Sequence, residues 1–224
     1  MSLVSVNNIS FFYQDGKQQR FILKDISCEF EKGKLYTILG AFDSGKKTLL
    51  SVLSALDRPH LGGIFYEGKS VKEIGLTKYR RDKVGIILQS NNLIPYMTGV
   101  ENLLVAMGIT DNELPLNHKE VACNLLDYIG IGEKKVNQKV TTLSKGEQQK
   151  VAIARALSTN ADLILADEPT RNLSEETAEG IFEILKCLAH IHGKCVIVAS
   201  QSEYIASISD VVFKLSKGAL TVDE

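Results

Sequence analysis

A chain of 224 residues is long enough to bury a sizeable core, either as one large domain or as one domain with an inserted subdomain. Its 26 basic and 27 acidic residues leave a formal net charge of −1, which removes any electrostatic reason to expect a nucleic-acid partner. Cys28, Cys123, Cys187 and Cys195 are scattered, with no Cys-x-x-Cys pair; they read as reduced thiols of a cytosolic protein.

The N-terminus lacks a basic region followed by an apolar run, and no apolar stretch approaches a membrane span in length. The expectation is a soluble chain whose membrane role, if any, needs a partner. Residues 3–10 and 28–30 alternate loosely between apolar and polar, as half-buried antiparallel strands do. Between them, residues 11–20 read as a polar turn behind three aromatics. Tyr13 in that group is either a flat surface for a nucleobase or a packing residue at a strand end.

A buried strand at 35–39 runs into Gly40-Ala-Phe-Asp-Ser-Gly-Lys46. Gly40 and Gly45 frame four residues and Lys46 follows directly, so backbone N–H groups, a helix N-terminus and an ammonium converge on one anion. This is a phosphate-binding P-loop with one departure. The hydroxyl that ligates Mg²⁺ is expected immediately after the lysine, where this chain has Lys47, and Thr48 comes one step late. A helix turns about 100° per residue, so Thr48 faces elsewhere. Residues 46–56 form an amphipathic helix, and 61–68 a turn and a short strand.

The apolar run at 84–88 ends in Gln89, a polar amide at a strand end of the kind that rims a site. A turn-rich loop at 90–98 and helical spacing at 100–107 and 119–129 suggest a helical insertion. Leu143-Ser-Lys-Gly-Glu-Gln-Gln149 opens a helix over 150–157, with Ser144 as N-cap and Glu147 as its capping-box partner. A buried strand at 161–166 then ends in Asp167-Glu168-Pro169, two adjacent carboxylates where parallel sheets bind ligands. Residues 175–189 are helical, 195–199 form a buried strand, and 211–215 with 220–222 close the chain as a hairpin.

In this order, the phosphate loop, the strand-end glutamine, the Ser-x-Gly-Glu-Gln helix start and the strand ending Asp-Glu-Pro resemble the nucleotide-binding subunit of ABC transporters. The resemblance spans residues 1–224. The runs Ile87-Leu-Gln-Ser-Asn-Asn-Leu-Ile-Pro95 and Leu165-Ala-Asp-Glu-Pro-Thr-Arg-Asn-Leu173 are most similar to the lipoprotein- and macrolide-exporter branch, which includes a cell-division ATPase. The implied fold is α/β, a P-loop NTPase of ABC type: a mostly parallel sheet with flanking helices, an N-terminal antiparallel subdomain and a helical subdomain near 90–158.

The resemblance implies ATP and Mg²⁺ as cofactors. Gly40, Asp43, Ser44, Gly45, Lys46, Lys47 and Thr48 occupy the phosphate loop, and Tyr13 stacks on adenine. Asp167 holds Mg²⁺ through water, Gln89 touches metal and permease, and Glu168 is the general base. Ser144 and Gly146 reach across a dimer to the partner's nucleotide. The implied function is an ATPase subunit that powers an integral membrane permease from the cytoplasmic face, paired with a second ATP-binding subunit. Its rivals are a degenerate nucleotide-binding partner and an ATPase that drives a membrane complex without transport.

Five positions depart from the family: Asp43, Lys47, Lys145, Ser174 and Gln201, the last replacing a switch histidine. A glutamine can hydrogen-bond phosphate or water but cannot become cationic, so turnover is expected to be impaired. A carboxylate about 4 Å from phosphate costs about 4 kcal/mol at an effective dielectric of 20, and a lysine gains a similar amount. Asp43 and Lys47 either pair and cancel, or Asp43 points to solvent and is screened.

Overall fold

In the computed structural model, which describes residues 2–16 and 18–223, β1 (Ser2–Asp15) pairs antiparallel with β2 (Gln18–Glu31). Part of the turn expected at 11–20, Lys17, lies outside the described residues. Both strands run further than the sequence pattern predicts: the three aromatics and residues 14–15 belong to β1 and residues 18–20 to β2, so most of the expected polar turn is strand. Bulging is the reason. The register shifts between Val6 and Ile9 and again between Ile9 and Phe11, with Asn8 at φ 47° and Asp25 at φ 49°. Each extra residue resets which face the side chains take, so the strand continues while its alternation is lost.

β3 (Leu35–Leu39) is buried at every position and feeds α1 (Lys46–Leu53). β4 (Leu61–Tyr66) returns to β1 and, with β5 (Lys69–Ser70), completes an antiparallel sheet in the order β2-β1-β4-β5. α2 (Val71–Ile74) and α3 (Leu76–Asp82) lead to β6 (Val84–Ile87). Four helices follow: α4 (Gly99–Ile109), α5 (His118–Tyr128), α6 (Glu133–Val136) and α7 (Lys145–Ser158). The chain then runs through β7 (Leu163–Asp167), α8 (Glu175–His190), β8 (Cys195–Ser200) and α9 (Glu203–Ser207) to the hairpin β9 (Val211–Ser216) and β10 (Ala219–Asp223). The second sheet has the order β10-β9-β3-β8-β7-β6 and is parallel from β9 to β6, with β10 antiparallel at its edge.

Three apolar cores hold these layers. The first joins the two sheets across α1, through Val4, Phe30, Leu49, Leu53 and Ile197. A second lies on the other face of the parallel sheet under α7 and α8, built from Ile153, Ile181, Phe182, Leu185 and Val198. The third belongs to the helical block, with Leu103, Leu126 and Val151 at its centre. Full burial of such a side chain contributes about 1.5–3 kcal/mol, so each layer has its own anchor. With the sheet clamped on both faces, the loops at the C-terminal ends of β3, β6, β7 and β8 are fixed at one edge. No helix of the described residues is long and apolar enough to cross a membrane.

Candidate functional site

Strand register brings the site together. Leu39 pairs with Ser200, Asp167 with Ala199, and Ala166 with Val198, while Ile87 pairs with Ala166. The segments that follow these strands therefore meet side by side. They wall a cleft of about 650 Å³. Asp43, Ser44, Gly45, Lys46, Lys47 and Thr48 form one side, Asp167 and Glu168 the floor, and Gln89, Gln201 and Tyr13 part of the rim; Thr48, expected to face elsewhere, lines the cleft as well, because the first turn of α1 borders it.

The loop from Gly40 to Lys46 closes tightly on itself. A Cβ at Gly40 would lie 2.6 Å from both Leu215 O and Ser44 Oγ, and Gly45 caps α1 at φ 103°, a conformation that suits glycine. Gly40 lines an adjoining concavity rather than the cleft itself, and its carbonyl accepts from Lys46 Nζ at 2.5 Å. Lys46 is buried; it also donates to Ala41 O at 2.9 Å and lies 3.7 Å from Glu168 Oε1. The first turn of α1 carries no acidic residue and no side-chain cap. Its free N–H groups and partial positive charge are available to an anion.

Asp43 sits at φ 60° and is exposed, and no ion pair joins it to Lys47 among the described residues. Of the two expectations for this pair, the structure shows no direct pairing: Asp43 lines the cleft but is exposed, where its charge is screened. Lys47 instead acts electrostatically on Asp167. That carboxylate, only 9% exposed, is raised in pKa by burial first and by neighbouring Glu168 second, against the pull of Lys47, Lys46 and Arg171. Glu168 adopts φ 44°, and its N–H donates to Ala199 O at 2.9 Å. A glutamate in the left-handed region is uncommon, and here it turns the side chain from the strand toward Lys46.

Tyr13 is 58% exposed and meets Phe11 edge-on at 5.4 Å, which leaves a ring face open. The cleft also contains cations that the sequence reading missed. Arg20 stands opposite Tyr13 in the β1–β2 register, and Arg171 lies 6.0 Å from the centre of the Phe42 ring. Only strand pairing reveals Arg20. Arg171 had a signal, since it lies two residues beyond the Asp-Glu-Pro turn.

Ser144 and Gly146 are elsewhere. They line a separate concavity with Lys145, Asn172, Ser174 and Thr177. Ser144 caps α7: its N–H donates to Glu147 Oε2 at 2.9 Å and its Oγ accepts from Glu147 N–H at 3.3 Å. Glu147 is lowered in pKa mainly by hydrogen bonding from Lys135, then by the Ser144 N–H. Within one chain, then, these residues and the cleft do not form a common site.

A phosphate loop between a parallel strand and a helix, with paired carboxylates at the end of a strand two places along the same sheet, defines a P-loop nucleotide-binding protein. Comparison narrows the class. A family model described as ABC transporter matches residues 23–171. The chain is 45% identical over 224 residues to the ABC transporter ATP-binding protein YclH of Bacillus subtilis, covering all of this chain and 98% of that protein. It is 35% identical over 221 residues to the lipoprotein-releasing system ATP-binding protein LolD of Francisella tularensis, covering 97% and 95%. The dimeric structure of the cassette MJ0796, from Methanocaldococcus jannaschii, superposes with a TM-score of 0.88 at 31% identity over 98% of both chains. The same cassette bound to ADP and Pi gives 0.87 at 32%, again over 98% of both chains. The chain belongs to the ABC transporter family, as an ATP-binding domain.

The donors in the cleft do not fit Mg²⁺, the metal that such a domain implies. Asp167, Gln89 and the hydroxyl residues Ser44 and Thr48 line it, but the position directly after Lys46, where the metal's hydroxyl ligand is expected, is filled by the cation of Lys47, which cannot ligate a metal and repels one.

Proposed function

We propose that the chain is the ATP-binding and hydrolysing subunit that powers a membrane permease, working as a dimer on the cytoplasmic face of the membrane, with slow turnover. One observation carries this reading: the phosphate loop, the Asp167–Glu168 pair, Tyr13, Gln89 and Gln201 converge on a single cleft. In it Tyr13 offers a face to adenine, while the loop amides and Lys46 take the phosphates, Lys46 giving up its carbonyl partners for phosphate oxygens. Glu168 receives the proton of the attacking water. Gln201 hydrogen-bonds the terminal phosphate without adding charge.

The placement of Ser144 and Gly146 in a separate concavity supports a partner subunit, whose nucleotide they would reach. The dimeric form of MJ0796 supports the same arrangement. LolD belongs by name to a lipoprotein-releasing system, which supports a membrane partner. The organisation we propose is one domain, 1–224, with its helical subdomain near 90–158.

Lys47 and Gln201, both facing the cleft, favour a second reading, a nucleotide-binding partner with little hydrolysis that completes a heterodimer. Turnover by the purified chain separates the two. Losing one transition-state contact slows an enzyme by about 10²–10³, so Lys47→Ser with Gln201→His is expected to raise a low but measurable ATPase rate at least tenfold. An ordinary rate in the unmodified chain refutes impairment, and no hydrolysis in either protein selects the second reading. Copurification of a permease-like or of a cell-division-type membrane protein decides whether the work is transport.

A further inference from the structure

The cleft contains a carboxylate without a partner. Asp167 is 9% exposed, lines the cleft, and accepts no hydrogen bond and enters no ion pair among the described residues. Such a buried charge needs a cation close by. Lys47, Lys46 and Arg171 line the cleft with it. Two are already engaged, Lys46 with Gly40 O, Ala41 O and Glu168, and Arg171 with the ring of Phe42. Lys47 makes no hydrogen bond or ion pair among the described residues and stands in the uncapped first turn of α1, facing the same cleft.

On the basis of the nucleotide-binding reading above, we infer that Lys47 is the site's own fixed cation: its ammonium bridges the Asp167 carboxylate and the phosphate tail of a nucleoside triphosphate, which therefore binds free of divalent metal. A lysine at this place occupies the ground of the metal hydroxyl and brings the positive charge that a metal would bring. Charge balance follows. Metal-free triphosphate meets Lys46, Lys47 and the α1 N-terminus, whereas a metal-loaded triphosphate sets a dication against the Lys47 ammonium. Like charges held this close oppose each other in water and more strongly in a partly buried cleft.

The test is a titration of the full chain with ATP, read by calorimetry, in EDTA and in excess Mg²⁺. The unmodified chain is expected to bind as tightly in EDTA as in Mg²⁺, or more tightly. Lys47→Ser is expected to bind at least tenfold more weakly in EDTA and to recover in Mg²⁺, while Lys47→Arg keeps metal-free binding. Lys47 is exposed, so the variants retain the fold, which circular dichroism verifies. Tenfold or greater dependence of the unmodified chain on Mg²⁺ overturns this inference alone, as does unchanged EDTA binding by Lys47→Ser. Absence of binding in both buffers overturns the nucleotide-binding reading and this inference with it.

Discussion

Replacing Asp43 separates two effects that meet at one residue. Its backbone lies at φ 60°, where an L-residue is disfavoured by about 1–2 kcal/mol although aspartate and asparagine tolerate it best. Its carboxylate lines the cleft that Lys46 and Lys47 share, yet it is exposed and unpaired with Lys47. A charge pair at about 4 Å amounts to about 4 kcal/mol at an effective dielectric of 20 but only about 1 kcal/mol in water, and exposure puts Asp43 near the lower figure. Asp43→Asn removes the charge and keeps the left-handed preference. It should improve ATP affinity about fivefold at 50 mM salt and by less at 500 mM, as screening takes over. Asp43→Gly should give the same gain in affinity and, in addition, raise thermal stability through relief of the backbone. ATP titrations at both salt concentrations, with melting curves for each variant, measure the two effects separately. Combined with Lys47→Ser, the changes should add to within about 0.5 kcal/mol, because no contact joins the two side chains. A coupling energy above about 1 kcal/mol, or an asparagine variant with unchanged low-salt affinity, would refute this reasoning.

At Gly146, an added Cβ would lie 2.6 Å from Thr177 Cγ2 and displace a side chain whose hydroxyl is 2.8 Å from Ser174 Oγ. Gly146→Ala should therefore weaken ATP-driven self-association by about tenfold, the effect of a mild overpacking of 1–3 kcal/mol, and leave nucleotide binding by the monomer unchanged; sedimentation and titration together test it. Asp82 is buried and receives two hydrogen bonds of 2.8 Å from Arg81, one of 3.0 Å from the Asp111 N–H and one of 3.2 Å from Thr110 Oγ1. Hydrogen bonding from Arg81 above all lowers its pKa from 3.8 to about 2. Because the folded value lies below the unfolded one, this stabilisation is present above pH 3.8 and is lost as pH falls through about 2. Asp82→Asn should lower the unfolding free energy by about 2 kcal/mol at neutral pH, and the deficit should shrink toward pH 2 in urea titrations. A deficit independent of pH counts against the assignment.

Much of the architecture was legible in the chain because it is written in short-range patterns. The central strands at 35–39, 84–88, 161–166 and 195–199 are runs of apolar residues bounded by polar ones, and such runs have one low-energy use, as strands covered on both faces. The Ser144–Glu147 capping box is equally local, since both partners lie within one helical turn. The order of phosphate loop, strand-end amide and paired carboxylates also survives in one dimension. The long β1–β2 hairpin does not, because bulges at Asn8 and Asp25 break the alternation on which such a reading depends.

What the tertiary structure alone decided is which charges face one another. Arg20 comes opposite Tyr13 through strand pairing, and Lys46 turns onto the carbonyls of its own loop. Asp43 and Lys47, neighbours in sequence, diverge because one sits in a left-handed turn and the other begins a helix. Lys47 and Asp167 are 120 positions apart in the chain, and the order β3-β8-β7 sets them in one cleft. Electrostatic interaction depends on distance and burial, and sheet order, which brings distant segments together, sets both.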